Sequence, residues 1–423
     1  MPFLEHLGID LADESTRSDV ALIAVTALST VALLWLGRVA LYPRRQSVIP
    51  NPLRTETPRL SEKQVARLEY GPNAYPGARD VPTPYGTMRV YEWGPENGKK
   101  TLFVHGISTS CMTVSRLAQA MADRGHRVMI FDLFGRGFTD GVGDLPHDSR
   151  LYVTQILLAL ASSPLSWTGA DALRLVGYSM GGGIAAHFAS TFPHMVSSLV
   201  LLAPAGIIRE ENFGLASRLL FRSGIVPDRL LTGLTRRRLR QPIASSVTKK
   251  KSPTPTPPRD KTPTGPDGIT DSVGVSAHKL RTSLHHLEDS ESMTDLATAE
   301  TAVSESVTAL ERRVLDYIAW MADHHPGFVP AFLSSLRHAP LMNQHDTWRE
   351  LASRPPDSTC VLLARDDEII DPEDYRNDGL ELLGGEERVK WRVIGDGHDF
   401  VGHDFVMTHT GDILKELDEF WGA

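Results

Sequence analysis

The chain has 423 residues, of which 41% are hydrophobic and 23% charged, the mix of a globular protein with enough apolar material for a sizeable core. A formal net charge of −8 argues against nucleic acid as a partner. Two cysteines, Cys111 and Cys360, cannot build a disulfide framework or a cysteine-rich zinc site.

In chain order, the first informative stretch is residues 20–37, VALIAVTALSTVALLWLG, which carry no charge. At ~1.5 Å rise per residue they cover about 27 Å, close to the hydrocarbon thickness of a bilayer. Before them stand Glu5, Asp10, Asp13, Glu14 and Asp19 against Arg17 alone; after them come Arg38, Arg44, Arg45 and Arg54. A secretory signal places its positive charge first, so the pattern is that of a single-pass membrane anchor over 20–40. Residues 1–19 are then outside or lumenal, and the domain that follows the anchor is cytosolic. The competing reading is a buried or surface-lying apolar helix. A linker rich in Pro and Arg is expected over 41–75.

From there short apolar runs alternate with helical stretches. Strand-like segments fall near 88–93, then at TLFVHG (101–106), HRVMIFDL (126–133), LRLVGYS (173–179), SSLVLLAP (197–204), TCVLLAR (359–365) and VKWRVIG (389–395). Runs rich in Val, Ile and Leu, separated by helices, read as parallel strands buried on both faces. The expected class is α/β, a mostly parallel doubly wound sheet, with core parts at 76–206 and 346–423. The interval 207–345 breaks this rhythm and is too long to be a loop. Its flanks are amphipathic and helical, so it reads as an inserted helical cap. Residues 245–302 within it, including SPTPTPPRDKTPTGP, are too poor in apolar side chains to fold and are expected to be disordered. The basic run at 236–240, RRRLR, is either a solvated linker or a contact for anionic lipid.

The chemistry sits at Gly177-Tyr178-Ser179-Met180-Gly181, a G-x-S-x-G between a buried strand and a helix. A serine on so sharp a turn needs small neighbours at Gly177 and Gly181, and the turn exposes its hydroxyl beside a helix N-terminus. A hydroxyl is a weak nucleophile without a base. His398, after the last strand, is the expected base, with His403 as its rival. Asp367, after TCVLLAR, is the expected acid; Asp366 and Asp371 are the alternatives. The chain order Ser, Asp, His suits such a sheet. The oxyanion of an acyl transfer needs two backbone N–H donors, expected from Met180 and from Ile107. His105 is expected to shape that second turn. No metal site or nucleotide loop is evident, so neither metal nor cofactor is expected.

These motifs together resemble the α/β-hydrolase family in its cap-bearing form. His105-Gly106 is similar to the family's oxyanion turn. Residues 132–140, DLFGRGFTD, resemble its D-x-x-G-x-G-x-S segment with Thr139 for serine. Residues 364–367, ARDD, resemble G-x-x-D with Ala364 for glycine, which places the acid at Asp367; Gly397-His398 resembles the terminal G-H. The resemblance implies a serine hydrolase with a Ser-His-Asp triad. Anchored relatives that cleave monoacylglycerols imply a lipophilic carboxylic ester as substrate, met at a membrane. A thioester, a peptide or a carbon–carbon bond is open to the same triad, and a non-catalytic membrane scaffold is the third reading.

Overall fold

The computed structural model describes residues 14–41, 46–170, 172–209, 228–239, 309–367, 369–395 and 400–422. The segment 245–302, expected to be disordered, lies outside them, as does His398.

The first element, α1, is one helix over Glu14–Leu41. Its stretch Ser18–Val39 is long and apolar enough to cross a membrane, and none of that stretch is buried against the rest of the chain. The hydroxyls of Thr26 and Thr30 donate to the carbonyls of Leu22 and Thr26, each at 2.8 Å, so the polar groups on this surface are satisfied within the helix.

An eight-stranded sheet forms the body. Its strands are β2 (Arg79–Thr83), β3 (Gly86–Trp93), β4 (Lys100–Val104), β5 (Arg127–Phe131), β7 (Leu173–Tyr178), β8 (Val196–Leu202), β9 (Thr359–Ala364) and β10 (Val389–Ile394), and they lie in the order β10-β9-β8-β7-β4-β5-β3-β2. The six strands from β10 to β5 run parallel; β3 and β2 are antiparallel additions at one edge. Every residue of β9 is buried, and so are all but Arg174 of β7, which explains why these segments read as unbroken apolar runs. β10 is an edge strand, and its residues Arg392 and Val393 face solvent.

Register decides where the loops emerge. Val104 pairs with Gly177, Gly177 with Leu201, Leu201 with Val361, and Val361 with Trp391. The segments that follow β4, β7, β9 and β10 therefore leave the sheet along a single edge, its carboxyl end, where open α/β sheets bind ligands. Helices α2 (Ser115–Asp123), α3 (Ser149–Ala161) and α4 (Met180–Thr191) connect the central strands.

Between β8 and β9 stand the helices of the insertion: α5 (Asp228–Leu239), α6 (Ala309–His324) and α7 (Phe328–His338), followed by α8 (His345–Leu351). The insertion is fitted closely to the 132–142 loop. A Cβ at Gly135 would lie 2.4 Å from the Ala331 Cβ, and the His325 imidazole bonds the Thr139 carbonyl at 3.0 Å.

The segment expected to be a linker is instead built into the fold from residue 46 onward. Strand β1 (Val48–Ile49) pairs with β6 (Gly141–Val142). Asn51 donates to Asp140 through its backbone N–H at 2.8 Å and its amide at 2.7 Å, and Arg54 completes an ion pair with the same buried carboxylate. Farther along, Glu69 pairs with Arg313 of α6 at 3.0 Å. Tyr70 is fully buried, donates to Asp132 at 2.9 Å, and packs edge-on against Tyr317 of α6 with ring centroids 4.9 Å apart. Residues 48–70 thus form a strap joining sheet and cap. Local composition, rich in Pro and Arg, concealed this because the strap's partners lie far off in sequence.

Candidate active site

Ser179 sits at the tip of the turn between β7 and α4, with φ 55° and ψ −124°. A non-glycine residue held there stores on the order of 1–3 kcal/mol of strain. The surroundings enforce it: the Ser179 N–H donates to the Leu202 carbonyl at 3.0 Å, and its carbonyl accepts from Gly182 and Ala205, each at 2.8 Å. A Cβ at Gly177 would stand 2.4 Å from the Gly181 carbonyl oxygen, and one at Gly181 would stand 2.2 Å from the Val104 carbonyl oxygen. Both flanking glycines are therefore required by contact.

The imidazole found beside Ser179 is that of His403, the rival to the expected base His398. The His403 Nε2 lies 3.0 Å from the Ser179 Oγ, and its Nδ1 lies 2.8 Å from Asp367 Oδ2. His398 is among the residues not described, so its own position adds nothing. The physical reason that His403 lies there is where the loop after β10 returns to the sheet. Asp366 accepts the Val401 N–H at 3.0 Å, and its own N–H donates to the Val401 carbonyl at 2.9 Å. Tyr178, next to Ser179, donates its hydroxyl to the His403 carbonyl at 2.8 Å. These bonds fasten residues 401–403 over the elbow, five residues beyond the place that proximity to the strand end suggested.

Asp367 is the carboxylate against the imidazole. Its side chain is fully shielded from solvent, and its Oδ1 accepts two backbone N–H groups, from Ile369 and Ile370, each at 2.8 Å. That leaves Oδ2 for His403 and fixes the direction from which the ring is held. Asp366 faces the other way, paired with Arg365 at 2.8 Å, and this pairing together with the Val401 bond holds its carboxyl below the usual range. Asp371 caps α9 (Pro372–Gly379) by accepting from Glu373 and Asp374.

The 105–107 turn lies against Ser179: a Cβ at Gly106 would stand 3.4 Å from the Ser179 Cβ. His105 is fully buried and shapes the turn. Its Nε2 accepts the Leu133 N–H at 2.9 Å, so its Nδ1 carries the proton and donates to the Gly106 carbonyl, also at 2.9 Å. Burial first, and the nearby Arg136 second, push this imidazole down to about 3, so it stays neutral at physiological pH. In a planar trans peptide the Ile107 N–H points opposite to the Gly106 carbonyl. The bond from His105 therefore sets the direction of the Ile107 N–H. Met180 is fully buried as the first residue of α4, where backbone N–H groups have no partner within the helix.

Sequence reasoning missed Arg136. It is fully buried between the 105–107 turn and the cap. Its lone position in a glycine-rich run gave no sign of that. His147, also missed, is buried beside it and held by the Val142 carbonyl at 2.9 Å.

The family profile described as serine aminopeptidase, S33, matches residues 95–253, a range that includes Ser179 but neither Asp367 nor His403. A serine hydrolase-like protein of Dictyostelium discoideum is 29% identical over 151 residues, 33% of this chain and 39% of that protein. A serine hydrolase-like protein of Danio rerio is 29% identical over 132 residues, 31% of this chain and 39% of that protein. The matched stretch thus spans about two fifths of the length of either relative. Among solved structures, a bromoperoxidase from Bacillus anthracis aligns with a TM-score of 0.51 at 15% identity, covering 82% of this chain and all of that one. Sheet order and the structural likeness give the chain the α/β-hydrolase fold, and the stretch around Ser179 is similar to serine hydrolase-like proteins.

Proposed function

We propose that the protein hydrolyses a lipophilic carboxylic ester through Ser179, His403 and Asp367, at a membrane that α1 spans. The observation that carries this reading is the unbroken chain of hydrogen bonds from Ser179 Oγ to His403 and on to Asp367. Ser179 Oγ attacks the ester carbonyl carbon while its proton passes to His403 Nε2. The imidazolium so formed is stabilised by the Asp367 carboxylate. The carbonyl oxygen, now anionic, is received by the N–H groups of Ile107 and Met180. Collapse breaks the bond to the leaving alcohol, which takes the proton back from His403 and leaves an acyl ester on Ser179. Water, deprotonated by the same imidazole, repeats the sequence and releases the acid.

Support for an apolar substrate comes from two side chains. Ile369 and Phe400 are both exposed, and they stand next to the residues that hold Asp367 and His403. Support for the anchor comes from the length and apolar surface of Ser18–Val39, with Arg38 in the last turn and Arg44 and Arg45 beyond it.

The test is an active-site fluorophosphonate probe on wild type and Ser179→Ala, followed by profiling on matched ester, thioester and diketone substrates. Labelling of wild type alone, with ester turnover fastest, is the expected result. Equal labelling of both proteins would overturn the assignment of the nucleophile.

A further inference from the structure

Arg136 is a buried guanidinium whose polar contacts are neutral: no carboxylate lies within ion-pair distance of it among the described residues. Its Nε donates to the Ile107 carbonyl at 3.1 Å. One terminal nitrogen donates to the Phe134 carbonyl and the Tyr152 hydroxyl, each at 2.9 Å, and the other donates to the Ser335 Oγ of α7 at 2.9 Å. Removing a guanidinium from water without a counter-ion costs free energy, so its retention calls for a reason other than stability.

The contact at Ile107 supplies one. The Ile107 N–H belongs to the peptide whose carbonyl is held by His105. The Ile107 carbonyl belongs to the next peptide, and Arg136 holds that one. The two bonds fix both peptide planes flanking the Ile107 Cα, and so leave its backbone no free rotation. The same guanidinium fork reaches the cap through Ser335, which itself accepts or donates with Tyr152 at 2.7 Å. Lysine could not do this, because a point charge on a flexible stem cannot hold several acceptors in one plane.

We propose that Arg136 is a positioning residue for the oxyanion donor at Ile107, and that through Ser335 and Tyr152 it couples that donor's geometry to the seat of cap helix α7. This rests on the hydrolytic reading above. It predicts that the side chain matters in the transition state and little in ground-state binding, because the carbonyl oxygen of a bound ester gains its charge only on attack.

The experiment uses the full-length protein in detergent, with rates normalised to the fraction of sites that react with a fluorophosphonate at completion. A purely structural lesion lowers that fraction and leaves turnover per reactive site unchanged. Arg136→Met is expected to lower kcat per reactive site about 10- to 100-fold, the range that a misplacement of about 1 Å produces, with KM within about threefold of wild type. Arg136→Lys is expected to recover little of this, and affinity for a trifluoromethyl ketone, which forms an anionic adduct with the serine, is expected to fall in parallel with kcat. Since loss of a buried fork can prevent folding, Tyr152→Phe and Ser335→Ala serve as milder variants, each expected to lower kcat about two- to fivefold in the same direction. The proposal is overturned if kcat per reactive site is unchanged in all four variants, if KM alone changes, or if Arg136→Lys restores full turnover. Failure of the wild type to label at Ser179 would instead remove the hydrolytic reading, and this proposal with it.

Discussion

Lowering the pH from 7 to 5 is predicted to cost the fold about 5–6 kcal/mol through His105, His147 and His325. All three are buried, and each spends its ring nitrogens on fixed partners. His147 bonds the Val142 carbonyl at 2.9 Å and the Tyr152 hydroxyl at 3.0 Å; His325 bonds the Thr139 carbonyl at 3.0 Å and accepts the Gly327 N–H at 3.1 Å. Burial above all pushes them down, with Arg136 adding to the effect, to about 3 for His105, about 3 for His147 and about 4 for His325. In the unfolded chain a histidine titrates near ~6.5. The folded values are the lower ones, so the unfolded chain takes up protons first. The stabilisation is complete above ~6.5 and drains away as the pH falls towards the folded values. At pH 5 each group has given up about 2 kcal/mol, from ~1.5 units at ~1.36 kcal/mol per unit. Three such groups remove a large part of the ~5–15 kcal/mol that holds a typical domain together. Asp132 acts in the opposite sense, since burial raises its carboxyl and its contribution is lost as pH rises. A comparison with His147→Gln separates the two, because glutamine cannot titrate. Urea unfolding followed by tryptophan fluorescence at pH 7 and pH 5 should show a stability difference about 2 kcal/mol smaller in His147→Gln than in wild type. If the two proteins lose the same stability between these pH values, His147 is not held neutral in the fold and the reasoning fails.

Three further outcomes follow from the site and the anchor. His403→Ala should lower ester turnover by about 10⁴-fold or more while His398→Ala stays within about tenfold of wild type, and the reverse ranking would return the base to position 398. Asp367→Asn should cost about 10⁴-fold in kcat, since it sets the wrong tautomer, whereas Asp366→Asn should cost only a few-fold through a looser 401–403 loop; near-equal losses measured by steady-state kinetics would contradict the assignment. Full-length protein should remain in the membrane pellet after alkaline carbonate extraction, and its release into the supernatant would remove the spanning role proposed for α1.

The sheet was legible because strands buried on both faces leave a signature that survives without context: 101–106, 126–133, 173–179, 197–204, 359–365 and 389–395 each overlap an observed strand within a few residues. The nucleophile turn was legible for a similar reason, since Gly177 and Gly181 are imposed by backbone contacts a few residues away. Choosing between Asp366 and Asp367 came out in favour of the residue now found against the imidazole, from a spacing shared with relatives. Of the two histidines weighed as base, the one found against Ser179 is His403. His398 and His403 are five residues apart in sequence, and what brings His403 to Ser179 is long-range: Tyr178 from β7 and Asp366 from the end of β9 grip residues 401–403. The strap failed for the same cause, because Asn51 has meaning only beside Asp140, 89 residues later.

That strap limits how the two ends of the molecule can be arranged. The last residue of α1 is Leu41 and the first of β1 is Val48, so six residues join them. Fully extended, the seven Cα–Cα steps from Leu41 to Val48 reach about 24 Å. With α1 lodged in a bilayer, the corner of the catalytic body carrying Val48 and Asp140 cannot drift farther than that from the lipid headgroups. Such a body glides with its leaflet and does not sample the aqueous volume beyond, so molecules dissolved in that leaflet meet it by lateral diffusion at a high local concentration, while water-borne ones must arrive from outside.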